Sequence, residues 1–354
     1  MTVIRFRYST LWLLAVMLVL LGILVALRGA LLQAHVDESI QYVASDAATY
    51  YELYQHLYEN VDVGESLGLF LVGSPILFMR LTEGNLFWIQ LADLGLMCLT
   101  LWTALDCFAT RRGRIRFIAG TLVFPYFLFG FLSLNKEVYA MCSAIFFASY
   151  LVRGLRTHLI AALVLAACAR YYMLAALVSL FFLVPRNGEP RLGWAIALLV
   201  VISLAAPFAT SSVAGYSAEG VLDVSGVLGK VFSEAVDDYA YAIVYPIKYV
   251  ALIPTKIYGL LLGSDRMADA MEAIVSLESL VAFVLGCRLL LHRRAVRDVV
   301  RKLVLAALLA PIPIMWSEIM HWRYYSFVYF FFLFAIVLHG ETRRAARAPR
   351  LANA

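Results

Sequence analysis

The sequence predicts an all-α, polytopic membrane protein with about ten transmembrane helices. Three observations carry that expectation. Of 354 residues, 63% are hydrophobic and 15% charged, against about 45–50% and 25% in soluble proteins, and mean hydropathy is +0.83. Apolar runs of about the length needed to cross a hydrocarbon core recur from Leu11 onward; such solid runs belong to helices, since barrel strands alternate. Basic residues cluster between those runs, on alternate connections. A soluble globule is excluded, and nucleic acid is not an expected partner. Cys98, Cys107, Cys142, Cys168 and Cys287 all lie in apolar runs without CxxC spacing, so neither a disulfide framework nor a zinc site is expected. No metal or other cofactor is called for.

The first run, 11–32, follows Arg5 and Arg7 like a signal sequence but lacks a convincing small-residue cleavage site, so it reads as a retained anchor. The first outer loop, 33–84, carries Asp37, Glu38, Asp46, Glu52, Glu59, Asp62, Glu65 and Glu83 against one basic residue, Arg80. Its apolar piece 67–79 is too short to cross and contains Gly73, Ser74 and Pro75, which suits a surface-lying or re-entrant segment. Predicted helices follow at 85–109, 117–134 and 138–152, then a pair flanking Arg170 within 159–184, then 194–209. A second outer loop, 211–269, contains the segment 239–262, whose Pro246, Pro254, Lys248 and Lys256 interrupt it and whose tyrosines suit the headgroup layer. The last predicted helices are 270–291, 303–316 and 327–338. The chain therefore divides into a core at 1–210, the loop 211–269, C-terminal helices at 270–340 and a basic tail at 341–354.

Charge orients this plan. With the N-terminus inside, 20 of the 29 basic residues fall on the cytoplasmic side, as the positive-inside rule requires. Reading 159–184 as one crossing would put the later arginine clusters outside, so that stretch is expected to break at Arg170.

The same plan gathers Asp46, Lys136, Glu137, Arg170, Glu318, His321 and Arg323 at the outer boundary from four separate stretches of chain. Snorkelling to the headgroups is the plain account of each; their convergence suggests a polar pocket. Asp46, Tyr50, Tyr54 and Tyr58 share one helical face at spacing of four, although Ser45 as N-cap with Asp46 in the first turn fits equally. Lys136 and Glu137 allow a simple ion pair within one hairpin, worth at most about 1 kcal/mol. Arg170 interrupts a 26-residue apolar stretch and must face protein, water or a phosphate. His321 and Arg323 lie beside Trp322, Tyr324 and Tyr325, where an interfacial aromatic belt is the competing account. Asp93 is expected to be a buried helix-to-helix contact or a residue supporting the pocket.

These features, in this order, resemble the GT-C superfamily of integral-membrane glycosyltransferases, in particular bacterial relatives of the protein O-mannosyltransferases and of the lipid A aminoarabinose transferase. SDAATYYELYQHLY followed by VGSPILFMRL, the turn in LSLNKEVYAMCSAIFFASYL, Arg170 in LAACARYYMLAALVSLFFLV, and HWRYYSFVYFFFLFAIVL carry the likeness, which covers about 1–185 and 303–340. The resemblance implies a sugar donor linked to polyprenyl phosphate, used at the outer face of a bacterial cytoplasmic membrane with both termini cytoplasmic. The acceptor would be an envelope glycan, lipid or protein. Asp46 would be general base in an inverting transfer. Arg170, Arg323, Lys136 and His321 would hold the departing phosphate, with Glu137, Tyr50, Glu318, Asp93 and Tyr324 supporting it or meeting the acceptor. Lys248 and Lys256 would meet phosphate at the interface. A polysaccharide polymerase or ligase is the nearest alternative; a lipid or glycolipid transporter is the second, for which internal repeats and midplane charges are expected.

Overall fold

A computed structural model describes residues 8–36, 51, 54–55, 75, 77–134, 136–213, 239–254, 257, 267–291, 298–315 and 325–352. All regular structure among them is helical. The elements are α1 (Tyr8–Val36), α2 (Leu86–Leu105), α3 (Arg111–Val123), α4 (Pro125–Phe129), α5 (Glu137–Arg153), α6 (Arg156–Ala169), α7 (Tyr171–Leu183), α8 (Leu192–Val213), α9 (Tyr241–Leu252), α10 (Met267–Leu291), α11 (Asp298–Leu309) and α12 (Val328–Ala352).

Thr10–Val36, Leu86–Leu105 and Ala270–Leu291 are long and apolar enough to cross a membrane. Arg111–Val123 with Pro125–Leu132, bent by 85°, makes a fourth if the pair is one span. The chain is a membrane protein, but among the described residues three or four helices meet the requirement, where the sequence predicts about ten. Length is the reason: α6, α7 and α9 have 14, 13 and 12 residues, hence about 18–21 Å at 1.5 Å per residue against a core of about 30 Å. The predicted helix 117–134 differs most from what forms. It starts at Arg111, capped by Thr110, whose hydroxyl accepts from the Gly113 N–H at 3.0 Å. It stops at Phe124 because Pro125 has no N–H to continue the ladder. At the other extreme α12 overruns its predicted end at 338 and continues to Ala352, through alanines and arginines that favour helix and in spite of Gly340 and Pro349, which do not.

The core is organised around α5, which is buried on nearly all sides. It packs on α6, α2 and α12. Its small and aromatic residues (Ala144, Phe147, Ala148) leave no lipid-facing stripe, as expected for a helix apolar all round. By contrast Leu14, Leu18, Val25 on α1 and Ile274, Leu277, Val284 on α10 are exposed, the pattern of helices that meet hydrocarbon.

The two ends of α5 are chemically different. At its C-terminus Arg153 pairs with Asp106 at 3.2 Å, and Gly154, in the left-handed conformation, lies so close to the Arg186 guanidinium that a Cβ there would be 1.7 Å from Nη1. The Lys302 ammonium donates to the Arg186 carbonyl at 2.8 Å, Arg301 pairs with Glu189, and Glu341 accepts from the Thr110 N–H at 2.8 Å. Residues the charge rule assigns to one side of the membrane thus meet at one end of the bundle. The opposite end holds Glu137 and Arg170. Since α7 returns to place Arg186 beside Gly154, α6 and α7 form an antiparallel pair reversing at Arg170, the break expected there.

Within the segment 239–262, predicted to lie in the headgroup layer, the described helix α9 turns Tyr241, Tyr245, Lys248 and Tyr249 inward, all buried, instead of offering them to headgroups; Tyr239, just before it, is exposed. Lys248 donates to the Met315 carbonyl at 2.7 Å with 1% of its surface exposed, so it is not placed to meet an interfacial phosphate. Lys256 lies outside the described residues.

Candidate functional site

Arg170 owes its position to the backbone. It ends α6 and begins α7 in an extended conformation (φ −168°, ψ 142°), its N–H bonding the Ala166 carbonyl and its own carbonyl accepting from Met173 and Leu174. That reversal places the side chain at a helix junction and out of an apolar face. Glu137 sits in the first turn of α5, where the helix dipole favours a carboxylate. The two meet: Arg170 Nη2 donates to Glu137 Oε1 at 3.0 Å, with side chains 14% and 5% exposed. This is a bridge between two hairpins, 33 residues apart, and it extends what the sequence offered, an ion pair within one.

Tyr172 completes the arrangement. The guanidinium carbon lies 5.6 Å from its ring centroid, and Arg170 Nη1 donates to its hydroxyl. A small cleft opens beside this group, lined by Glu137, Ala140, Met141, Arg170, Tyr172, Met173, Ser326 and Phe327. Ser326 and Phe327 bring the start of α12 to residues contributed by α5 and α7. Lys136, the residue before α5, is buried next to Glu137 in the chain. Three stretches of chain therefore share one polar point at the end of the bundle away from the basic clusters.

A second buried polar contact braces it. Tyr139 Oη, two residues after Glu137, donates to Asp93 Oδ1 on α2 at 2.8 Å. One turn earlier on α2, Gln90 donates to the Leu132 carbonyl at 2.7 Å. Asp93 is thereby a helix-to-helix contact that holds the N-terminus of α5 on α2. The described residues of the segment 33–84 reach the same end. Phe78 packs on Tyr139 with ring centroids 5.7 Å apart, Met79 joins Leu86, Ile89 and Leu134 with Tyr51 and Tyr54 against them, and Tyr51 meets His35 at the end of α1.

Of the residues singled out from sequence, Glu137 and Arg170 come together, Lys136 adjoins them, and Asp93 stands one contact behind. Asp46, Tyr50, Glu318, His321, Arg323 and Tyr324 lie outside the described residues. Sequence reasoning passed over Tyr172, Tyr139, Gln90 and Ser326. For Tyr139 a signal existed, because a buried carboxylate such as Asp93 needs a donor and a tyrosine beside a polar turn supplies one. Among the described residues no group of three His, Cys, Asp or Glu is placed to hold a metal ion.

Among the described residues, fold and site together define a class: a helical membrane protein with a buried ion pair beside a small cleft at one end of its bundle. No family model matches the chain, and no curated protein or solved structure matches it either.

Proposed function

We propose that this chain is a membrane glycosyltransferase of GT-C type that moves a sugar from a polyprenyl-phosphate-linked donor to an envelope glycan, lipid or protein. The observation that carries the reading is the bridge between Arg170 and Glu137, seated at the end of the bundle opposite the basic clusters. An arginine there costs desolvation unless paired, and a guanidinium has five donors in a rigid fork. Here it already meets Glu137 and the Tyr172 hydroxyl, and a phosphate that draws near meets a cation whose position is fixed beforehand. Glu137 and Tyr172 then set the orientation of a cation whose task is to meet the charge that gathers on the departing lipid phosphate.

In this reading about ten helices, several of them short, enclose a site at the outer face of a bacterial cytoplasmic membrane. Asp46 draws the proton from the acceptor hydroxyl as its oxygen attacks the anomeric carbon. The bond to the phosphate oxygen breaks on the opposite face and the configuration inverts. Arg323, Lys136 and His321 join Arg170 around the phosphate. Tyr50, Glu318 and Tyr324 border the acceptor.

Mass spectrometry of envelope glycans and glycolipids tests this, comparing a strain lacking the protein with strains carrying Asp46→Asn or Arg170→Ala at normal levels. The expected result is the same missing sugar in all three, and the length of what is missing tells one residue from a polymer. Unaltered glycans in both variants overturn the proposal.

A further inference from the structure

Two prolines, Pro311 and Pro313, follow just after α11, and each removes a backbone donor. A helix running through Pro311 would leave the Ala307 carbonyl without its partner four residues on. Such an orphan in an apolar interior costs the desolvation of the group. The chain here turns irregular: the Ile312 N–H bonds the Leu309 carbonyl, and the Ile314 and Met315 N–H groups both bond that of Pro311.

Four side chains on one face of α9 supply donors to this stretch. Tyr249 Oη donates to the Ala307 carbonyl at 3.1 Å, the acceptor that Pro311 strands. Tyr245 donates to the Leu308 carbonyl, Tyr241 to that of Ile312 at 2.5 Å, and Lys248 to that of Met315 at 2.7 Å. Positions 241, 245, 248 and 249 form a single helical stripe, and all four side chains are buried.

We infer that this stripe is a backbone clamp that fixes where α11 ends, with Lys248 and Tyr249 as positioning residues for the polar end of the bundle. Met315 is the last described residue before 316–324, and Tyr325 and Ser326, both buried, are the first after it. The clamp holds the near side of that connection while the cleft beside Arg170 holds the far side. The inference needs no glycosyl transfer; under the function proposed above, it adds that α9 acts on the reaction only through the placement of α11 and α12.

The test is a double-mutant cycle in the purified, detergent-solubilised full chain. Tyr249→Phe removes one hydroxyl and keeps the ring. Pro311→Ala restores an N–H that can take the Ala307 carbonyl. Tyr249→Phe is expected to shift the folding equilibrium about tenfold toward unfolding, and to shift it little in the Pro311→Ala background. Equal effects in both backgrounds overturn the clamp. Should Pro311→Ala fail to fold, Lys248→Met decides: with Ser326→Cys as reporter, it is expected to raise the rate of maleimide labelling several-fold in folded protein, and an unchanged rate overturns the inference. Coupling between 249 and 311 in a protein without transferase activity would remove the proposed function and leave the clamp standing.

Discussion

Arg170 and Glu137 show how one residue's environment decides what it can do. Two charges this buried stabilise each other only as a pair, and removing one strands the other at a cost of about 3–5 kcal/mol. Glu137→Gln alone is therefore expected to lower thermal stability in detergent strongly. The double variant Glu137→Gln/Arg170→Met is expected to recover most of the loss while abolishing transfer. A double variant as unstable as the single would mean that Glu137 is held by something other than Arg170. Arg170→Lys is a finer probe of the same atoms. It keeps the charge but not the fork that reaches Glu137 and Tyr172 at once, so activity on a lipid-linked donor is expected to fall at least about tenfold. Full activity in the lysine variant would argue against a bidentate role.

The contact between α3 and α12 is a property of elements. Glu341 accepts from the N–H groups of Thr110 and Ala109 and from the Thr110 hydroxyl, so a carboxylate 231 residues distant satisfies donors at the start of α3, where the helix dipole also favours it. Gly113 makes room for it, because a Cβ there would lie 2.1 Å from Glu341 Oε1. Gly113→Ala and Glu341→Ala should thus delete the same contact from opposite sides. Each is expected to cost about 1 kcal/mol, and the double variant no more than the larger single loss. Additive losses measured by thermal unfolding would show that the two residues act separately.

For the whole molecule, the clustering of Arg153, Arg186, Arg301, Lys302 and Glu341 at one end sets an orientation that labelling can read. Glu189→Cys is expected to react with a membrane-impermeant maleimide only after the inner face is opened, and Leu81→Cys in intact cells. Labelling of both from the same side would break the two-ended arrangement on which the proposed function rests. The native cysteines all sit within or at the ends of apolar helices, which suits them to remain as a slow background.

Much of the plan is legible in the linear chain, and for identifiable reasons. Hydropathy marks where helices must satisfy their own backbone in lipid, and arginine spacing marks which connections share a side. The same logic forces a reversal at Arg170, since a cation in a long apolar run has few tolerable places. The Thr110 cap and the continuation of α12 past 338 are not read from the sequence, which starts the one helix at 117 and ends the other at 338. Partnership is a different matter. Nothing in the order of residues says that Glu137 meets Arg170, that Tyr139 donates to Asp93, or that Tyr241, Tyr245 and Tyr249, which suit a headgroup layer by composition, instead face carbonyls at and just beyond the end of α11. Local propensity and hydropathy are sums over neighbours in the chain, and they determined that this protein is a helical bundle in a membrane with distinct ends. Which buried donor faces which acceptor depends on how helices dozens to hundreds of residues apart pack together, and only the tertiary structure decided that.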